Sequence, residues 1–161
     1  MVKARPGYQA NRARISVALS EFTVPLLSSI YKAFDGDMVA AIVLGEIAHR
    51  NVEAWLADQG NPAELLDDAS RRTAVMRPCN ALSIAQACGL PRETVRRKVV
   101  MLVERGYIYR SDDGYLYLTR SVGDGFEDMT ARLVEQLIAT ARRLEALLAG
   151  QPTPLGPLRL D

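Results

Sequence analysis

The sequence predicts a mostly α-helical protein with one small β-hairpin. Apolar residues recur at three- and four-residue spacing in several stretches, two short helices meet at a glycine corner near the centre, and two Tyr-rich runs flank Ser111-Asp112-Asp113-Gly114. With 161 residues, 48% hydrophobic and 24% charged, the chain has the composition of an ordinary globular domain rather than of a disordered or fibrous one.

The first 19 residues carry Lys3, Arg5, Arg12 and Arg14 with Pro6 and Gly7 but no sustained apolar stripe, which predicts a basic flexible arm over 1–19. Leu26, Leu27, Ile30, Tyr31 and Phe34 then predict a short amphipathic helix over about 21–34, ended by Asp35 and Gly36. Asp37 is the expected N-cap of a longer helix to about Ala57, with Ala40, Val43, Leu44, Ile47, Ala48 and Trp55 on one broad face. The acidic stretch 58–72, with Gly60, Asn61 and Pro62, reads either as a loop or as a short helix around 63–69. Together, 20–75 form the expected N-terminal helical region.

Asn80 is placed to cap a helix over Ala81–Cys88 that Gly89 stops, and Pro91 to pre-set the first turn of a second helix running to about Arg105. Gly106 ends that helix. Tyr107–Tyr109 and Tyr115–Leu118 read as two strands of a hairpin. Gly123 and Gly125 predict a break before a helix over about 127–148 that repeats Leu133, Leu137, Leu144 and Leu148, followed by a Pro-rich tail over 151–161.

Twenty basic residues against nineteen acidic ones leave the total near neutral, but the charge is segregated. Between Pro91 and Arg110, Arg92, Arg96, Arg97, Lys98, Arg105 and Arg110 face only Glu93 and Glu104, whereas 50–69 holds Arg50 against five acidic residues. The basic window coincides with the two-helix corner. Ala85 allows close helix crossing, Gly89 permits a left-handed turn, and Ile84, Leu90, Val95, Val99 and Leu102 can form the small core that fixes the angle. This spacing is that of a helix-turn-helix. With Val95, Val99 and Leu102 inward, Arg92, Glu93, Arg96 and Arg97 project outward near the helix start, the part such units present to the major groove. Arginine matches guanine O6 and N7 bidentately, so Arg92, Arg96 and Arg97 are the base-contact candidates, with Thr94 or Glu93 reading a neighbouring base or the backbone. An exposed helix face without a ligand is the competing account of the same arginines.

The runs Ser83-Ile84-Ala85-Gln86, Gly89 to Arg97 and Leu102-Val103-Glu104-Arg105-Gly106-Tyr107-Ile108 resemble the winged helix-turn-helix transcriptional regulators of the MarR and IclR families. With the hairpin included, the likeness covers about a quarter of the chain. Helices before the motif and a long helix after it favour a MarR-like plan, since the chain has no room for the large effector domain of an IclR protein. The resemblance implies a winged DNA-binding region over 76–120, with Tyr107–Leu118 as the wing, and a homodimer that binds double-stranded DNA at a roughly palindromic operator. Ser83, Lys98, Arg110, Ser111 and Tyr115 join Arg92, Glu93, Thr94, Arg96 and Arg97 as expected DNA contacts; Arg120 is a further wing candidate, because Asp112 and Asp113 at the wing tip repel phosphate. Leu133, Leu137, Leu144 and Leu148 form a narrow stripe on the expected dimerisation helix, 121–150, with packing inside one chain as the alternative. The resemblance further implies release of DNA by a small-molecule effector, for which Trp55, Tyr31 and Phe34 could line a pocket, although core packing explains them equally well.

Other chemistry is sparsely represented. Glu46 and His49 have the spacing of a carboxylate-bridged metal site, but the chain's single histidine cannot complete one, so neither metal nor cofactor is expected. No phosphate loop, nucleophile elbow or paired-carboxylate motif suggests an enzyme. Cys88 reads as a core residue and Cys79 as the more exposed of the two, a candidate redox thiol without a resolving partner. Two cysteines make no disulfide framework, and the longest apolar run, Met38 to Leu44, is far below the roughly 20 residues of a membrane span, so a cytoplasmic protein is expected. A winged helix used only to bind protein is the alternative function.

Overall fold

The computed structural model describes residues 6–56 and 76–150, which divide into two compact units: one built from 6–33 with 127–150, the other from 34–56 with 76–126. The chain is mostly helical with a two-stranded antiparallel hairpin. These units do not follow the boundaries expected at 20–75, 76–120 and 121–150. The helix beginning at Met38 belongs with the central motif, and the first helix belongs with the part of the last helix from Glu127 onward.

In the first unit, helix α1 spans Pro6–Ala33, interrupted at Asn11, whose backbone leaves the helical region (φ −116°, ψ 18°). The flexible arm expected over 1–19 is thus helical from Pro6 onward. Its pattern was hard to read because only Ile15 and Ala18 on that stretch are buried, against Leu147 of the last helix. Asn11 Nδ2 donates to the Leu147 carbonyl at 2.8 Å, meeting one of the acceptors a helix end leaves open. Gly7 lies so close to that end that a Cβ there would stand 2.1 Å from the Leu148 carbonyl oxygen. Glu21 and Arg143 form an ion pair, each side chain less than one-fifth exposed. By length and composition Gly7–Ala33 is also long and apolar enough to cross a bilayer, its most apolar window having mean hydropathy 1.2. Its apolar residues are interrupted by single polar ones, so the mean is high although no unbroken apolar run is long.

In the second unit, Asp35 (φ 51°) and Gly36 (φ 86°) turn the chain sharply after α1. Asp37 then caps helix α2, Met38–Leu56, its Oδ1 accepting the Ala40 amide at 3.0 Å. Ala40, Val43, Leu44 and Ile47 are buried at the expected spacing, and α2 packs on the two motif helices and the hairpin. The side chain of Trp55, the stretch 58–72 and the tail 151–161 lie outside the described residues.

Helix α3, Ala81–Cys88, opens with a reciprocal cap: the Asn80 side chain accepts from Ser83 N, and the Ser83 hydroxyl accepts from Asn80 N. Gly89 (φ 62°) closes it, and Leu90 N donates back to the Ala85 carbonyl at 3.0 Å. Helix α4, Arg92–Glu104, starts one residue later than expected, with Pro91 at the cap position. It ends in the same way at Gly106 (φ 72°), where Tyr107 N donates to the Leu102 carbonyl at 3.0 Å.

Strands β1 (Ile108–Arg110) and β2 (Leu116–Leu118) pair antiparallel with Ile108 opposite Leu118. Gly114 N donates to the Ser111 carbonyl at 2.8 Å and Gly114 takes φ 82°, so the turn is closed by a left-handed glycine after Asp112 and Asp113. Cys79 bridges β2 at Leu116 from the other side. The last helix, α5, runs over Arg120–Leu148 without a break at Gly123 or Gly125. Those glycines cost helix propensity, about 1 kcal/mol each. Phe126, one residue beyond, stacks on Phe34 at 5.6 Å and contacts Tyr107 at 5.6 Å, an aromatic packing gain that offsets the cost.

Candidate nucleic-acid interface

Helix α4 has two faces. Val95, Val99 and Leu102 are buried together with Ile84 and Ala85 of α3, while Arg92, Glu93, Arg96 and Arg97 are exposed. Three-residue and four-residue steps from Val95 to Val99 and Leu102 keep the apolar stripe on one side, so the charges in the first two turns point away from the core. The inward and outward assignments of the sequence both hold.

The charged face is not uniform. Arg96 donates to Glu93 from Nε at 2.9 Å and from Nη2 at 2.8 Å, a bidentate pair one turn apart. The Arg96 hydrogen bonds and charge hold the Glu93 carboxyl below the usual carboxylate range. Arg92 and Arg97 make no ion pair among the described residues. Pro91 supplies no side-chain cap, so the α4 amino end keeps open N–H groups beside Arg92.

Several expected contacts are employed elsewhere. Lys98 Nζ bonds Asp37 Oδ2 at 2.6 Å, with both side chains mostly covered, so this lysine ties α4 to the start of α2 rather than joining the arginine face. The cause is its position: Lys98 follows the exposed Arg97 and precedes buried Val99, which turns it toward α2. Ser83 is half-buried and its hydroxyl is held within the Asn80 cap, where it accepts from Asn80 N at 3.2 Å and donates to the Asn80 carbonyl at 2.9 Å. Thr94 is half-buried. On the hairpin, Arg110 and Tyr115 are exposed, while the Ser111 hydroxyl accepts the Tyr115 amide at 3.1 Å and shapes the turn. Asp112 and Asp113 are exposed at its tip.

Between α3, α4 and the hairpin lies a concavity of about 320 Å³, floored by Ala81, Leu82, Val99, Val100 and Leu116 and bordered by Arg96 and Arg110. Leu82 and Val100 were not singled out from the sequence. Their signal was present: each falls on the polar side of its helix, where a large apolar residue has no core to serve. Arg96 therefore stands beside both a carboxylate and an apolar surface.

Asn51 was also missed, although it continues the Val43–Ile47 face of α2 by one further turn. It is fully buried, donates from Nδ2 to the carbonyls of Arg77 (3.0 Å) and Leu116 (3.2 Å), and accepts the Leu118 amide at 2.9 Å. It thus sets the height of the hairpin on α2. Cys79, expected to be the exposed cysteine, is buried beside it, and Cys88 is the half-covered one. Burial pushes the Cys79 thiol up to about 11, with Arg50 and Asn51 opposing, which removes the nucleophilic thiolate a redox switch requires.

Glu46 bonds Arg50 at 2.7 Å instead of turning to His49, and no group of three His, Cys, Asp or Glu side chains able to hold a metal occurs among the described residues. Of the aromatics considered for an effector pocket, Phe34 is buried in the cluster with Tyr107 and Phe126, and Tyr31 is exposed. No protein-family model, curated protein or solved structure matches the chain.

Proposed function

We propose that this protein binds double-stranded DNA through α4 and regulates transcription as a winged helix-turn-helix homodimer of MarR-like plan, working in the cytoplasm without catalysis. The observation that carries this reading is the division of α4: Val95, Val99 and Leu102 anchor it while Arg92, Arg96 and Arg97 leave its amino-terminal turns together. The hairpin that follows offers Arg110 and Tyr115 as the wing's contacts to phosphate or minor groove.

Dimerisation would rest on Leu137 of the expected stripe, together with its neighbours Val134 and Ile138, while Leu133 is half-buried. Leu144 and Leu148 pack on Ile15, Ala18 and Leu147 within one chain, whereas Val134, Leu137 and Ile138 are exposed on α5. A second copy covering them would supply the homodimer, and two-fold helix-turn-helix regulators read half-sites about 34 Å apart.

A protein-binding module is the second reading, favoured by the apolar floor of Leu82, Val99 and Val100 beneath Arg96 and Arg110, which suits an aliphatic, acidic peptide. Selection of bound sequences from a random duplex library at fixed salt separates the two. Enrichment of a two-fold symmetric sequence with half-sites one turn apart supports the regulator; no enrichment transfers the face to a protein partner.

A further inference from the structure

We propose that Glu93 is a positioning residue for Arg96, holding that guanidinium so that its tip, and not its side edge, meets a guanine. This inference rests on the DNA-binding reading above. The carboxylate engages Nε and Nη2, the side edge of the guanidinium, and leaves Nη1 and the second Nη2 hydrogen unbonded at the tip. Those two N–H groups form the fork that matches guanine O6 and N7. The same edge, left open, would be free to turn to a phosphate, which carries no sequence information.

Three features make orientation the role of this pair. Both side chains are more than 60% exposed, and an exposed ion pair one turn apart adds little to folding, so the fold has small use for it. An acidic residue on a face meant for a polyanion is unfavourable in itself, so Glu93 needs a local partner to be tolerated there. Among the described residues, Arg96 alone of the three α4 arginines has its direction set in this way, and it occupies the shared rim of the 320 Å³ concavity and of a second one, about 250 Å³, lined by Ala81, Leu82, Arg92 and Glu93. Arg92 and Arg97 are left to serve the backbone. One helix then carries one base-reading arginine and two phosphate-seeking ones.

The test uses the full chain and the duplex enriched by selection, together with every single-base-pair variant of it, at fixed salt. Wild type, Glu93→Ala, Glu93→Gln, Arg96→Ala and the Glu93→Ala/Arg96→Ala double variant are compared. Arg96→Ala is expected to erase discrimination at one base pair, about tenfold. Glu93→Ala should tighten binding to random duplex through loss of a negative charge, yet lower discrimination at that same base pair severalfold. The double variant should discriminate no worse than Arg96→Ala alone, the non-additivity expected of coupled residues. Glu93→Gln, which keeps one acceptor, should recover part of the discrimination. If Glu93→Ala changes affinity for every duplex by one factor, Glu93 acts only as a charge and the positioning role is wrong while DNA binding stands. A loss at a different base pair from Arg96→Ala would make Glu93 itself the base reader and also overturn it. If wild type enriches no duplex, the DNA reading fails and takes this inference with it.

Discussion

Asn51 and Leu118 are joined by a hydrogen bond of 2.9 Å in which a helix side chain accepts a strand amide, so the hairpin is fastened to α2 by a polar group inside the core. The Asn51 side-chain Nδ2 donates to the Arg77 and Leu116 carbonyls, so one residue serves three backbone groups, with the Cys79 thiol a second donor to Leu116 at 3.6 Å.

Asn51→Leu keeps the branching at Cγ, adds volume, and offers no hydrogen-bonding group to any of these partners. Leaving the buried Leu118 amide unpaired and the Arg77 and Leu116 carbonyls each short of a donor should cost about 3 kcal/mol. Urea unfolding followed by circular dichroism would measure it. Asn51→Asp should cost at least as much near neutral pH, since a carboxylate cannot donate to the two carbonyls, and part of that loss should return on acidification as the carboxyl regains a proton.

Asp37 caps α2 and holds Lys98, and its pKa is lowered: burial raises it, but the Lys98 and Ala40 hydrogen bonds and nearby positive charge outweigh that. A carboxyl whose folded pKa lies below its unfolded one binds protons more readily when unfolded. Its contribution is therefore complete above about pH 4 and fades as pH falls through the lowered value. Asp37→Ala should cost about 1 to 2 kcal/mol at pH 7, and Asp37→Asn less, because asparagine still caps. In thermal melts across pH 3 to 7, the gap between wild type and both variants should narrow toward the acid end.

Cys79 should resist alkylation at pH 8 in the native state, because its thiol is buried and titrates near 11. Cys88, half-covered and shifted upward by burial to a lesser degree, should react first. Mass spectrometry after timed iodoacetamide exposure gives the order; prompt labelling of Cys79 would show that the contact between Cys79 and β2 opens readily.

Gly7→Ala would bring a Cβ to 2.1 Å from the Leu148 carbonyl oxygen, a backbone atom that cannot swing aside. The expected loss is about 2 kcal/mol in the pairing of α1 with the end of α5. Hydrogen exchange should accelerate at Ile15, Ala18 and Leu147, the core of that unit.

Leu137→Glu and Leu144→Glu separate association from folding. Leu137 is exposed, so its replacement should shift sedimentation toward the monomer without changing the melting temperature at low concentration. Leu144 packs on the Ile15, Ala18 and Leu147 cluster, so a buried charge there should lower the melting temperature itself. Equal effects of the two substitutions would contradict the distinction drawn between the two stripes.

What the sequence determined by itself is the local grammar of the motif. The Asn80 cap, the left-handed stops at Gly89 and Gly106, and the inward Val95, Val99 and Leu102 each depend on residues within about one helical turn, where backbone sterics and hydrogen bonding act without help from the rest of the chain. Tertiary structure decided how side chains with more than one use are spent. Lys98 goes to Asp37 because α2 brings a carboxylate within 2.6 Å, and Leu144 and Leu148 go inward because α1 extends back to meet them. The segment from Pro6 to Ser20 becomes helical on two buried side chains, too few to register as a stripe, and α5 passes through Gly123 and Gly125 because Phe34 and Tyr107 wait for Phe126. In each case the deciding partner lies dozens of residues away, beyond the reach of any spacing rule, and its free energy exceeds the propensity that the local sequence expresses.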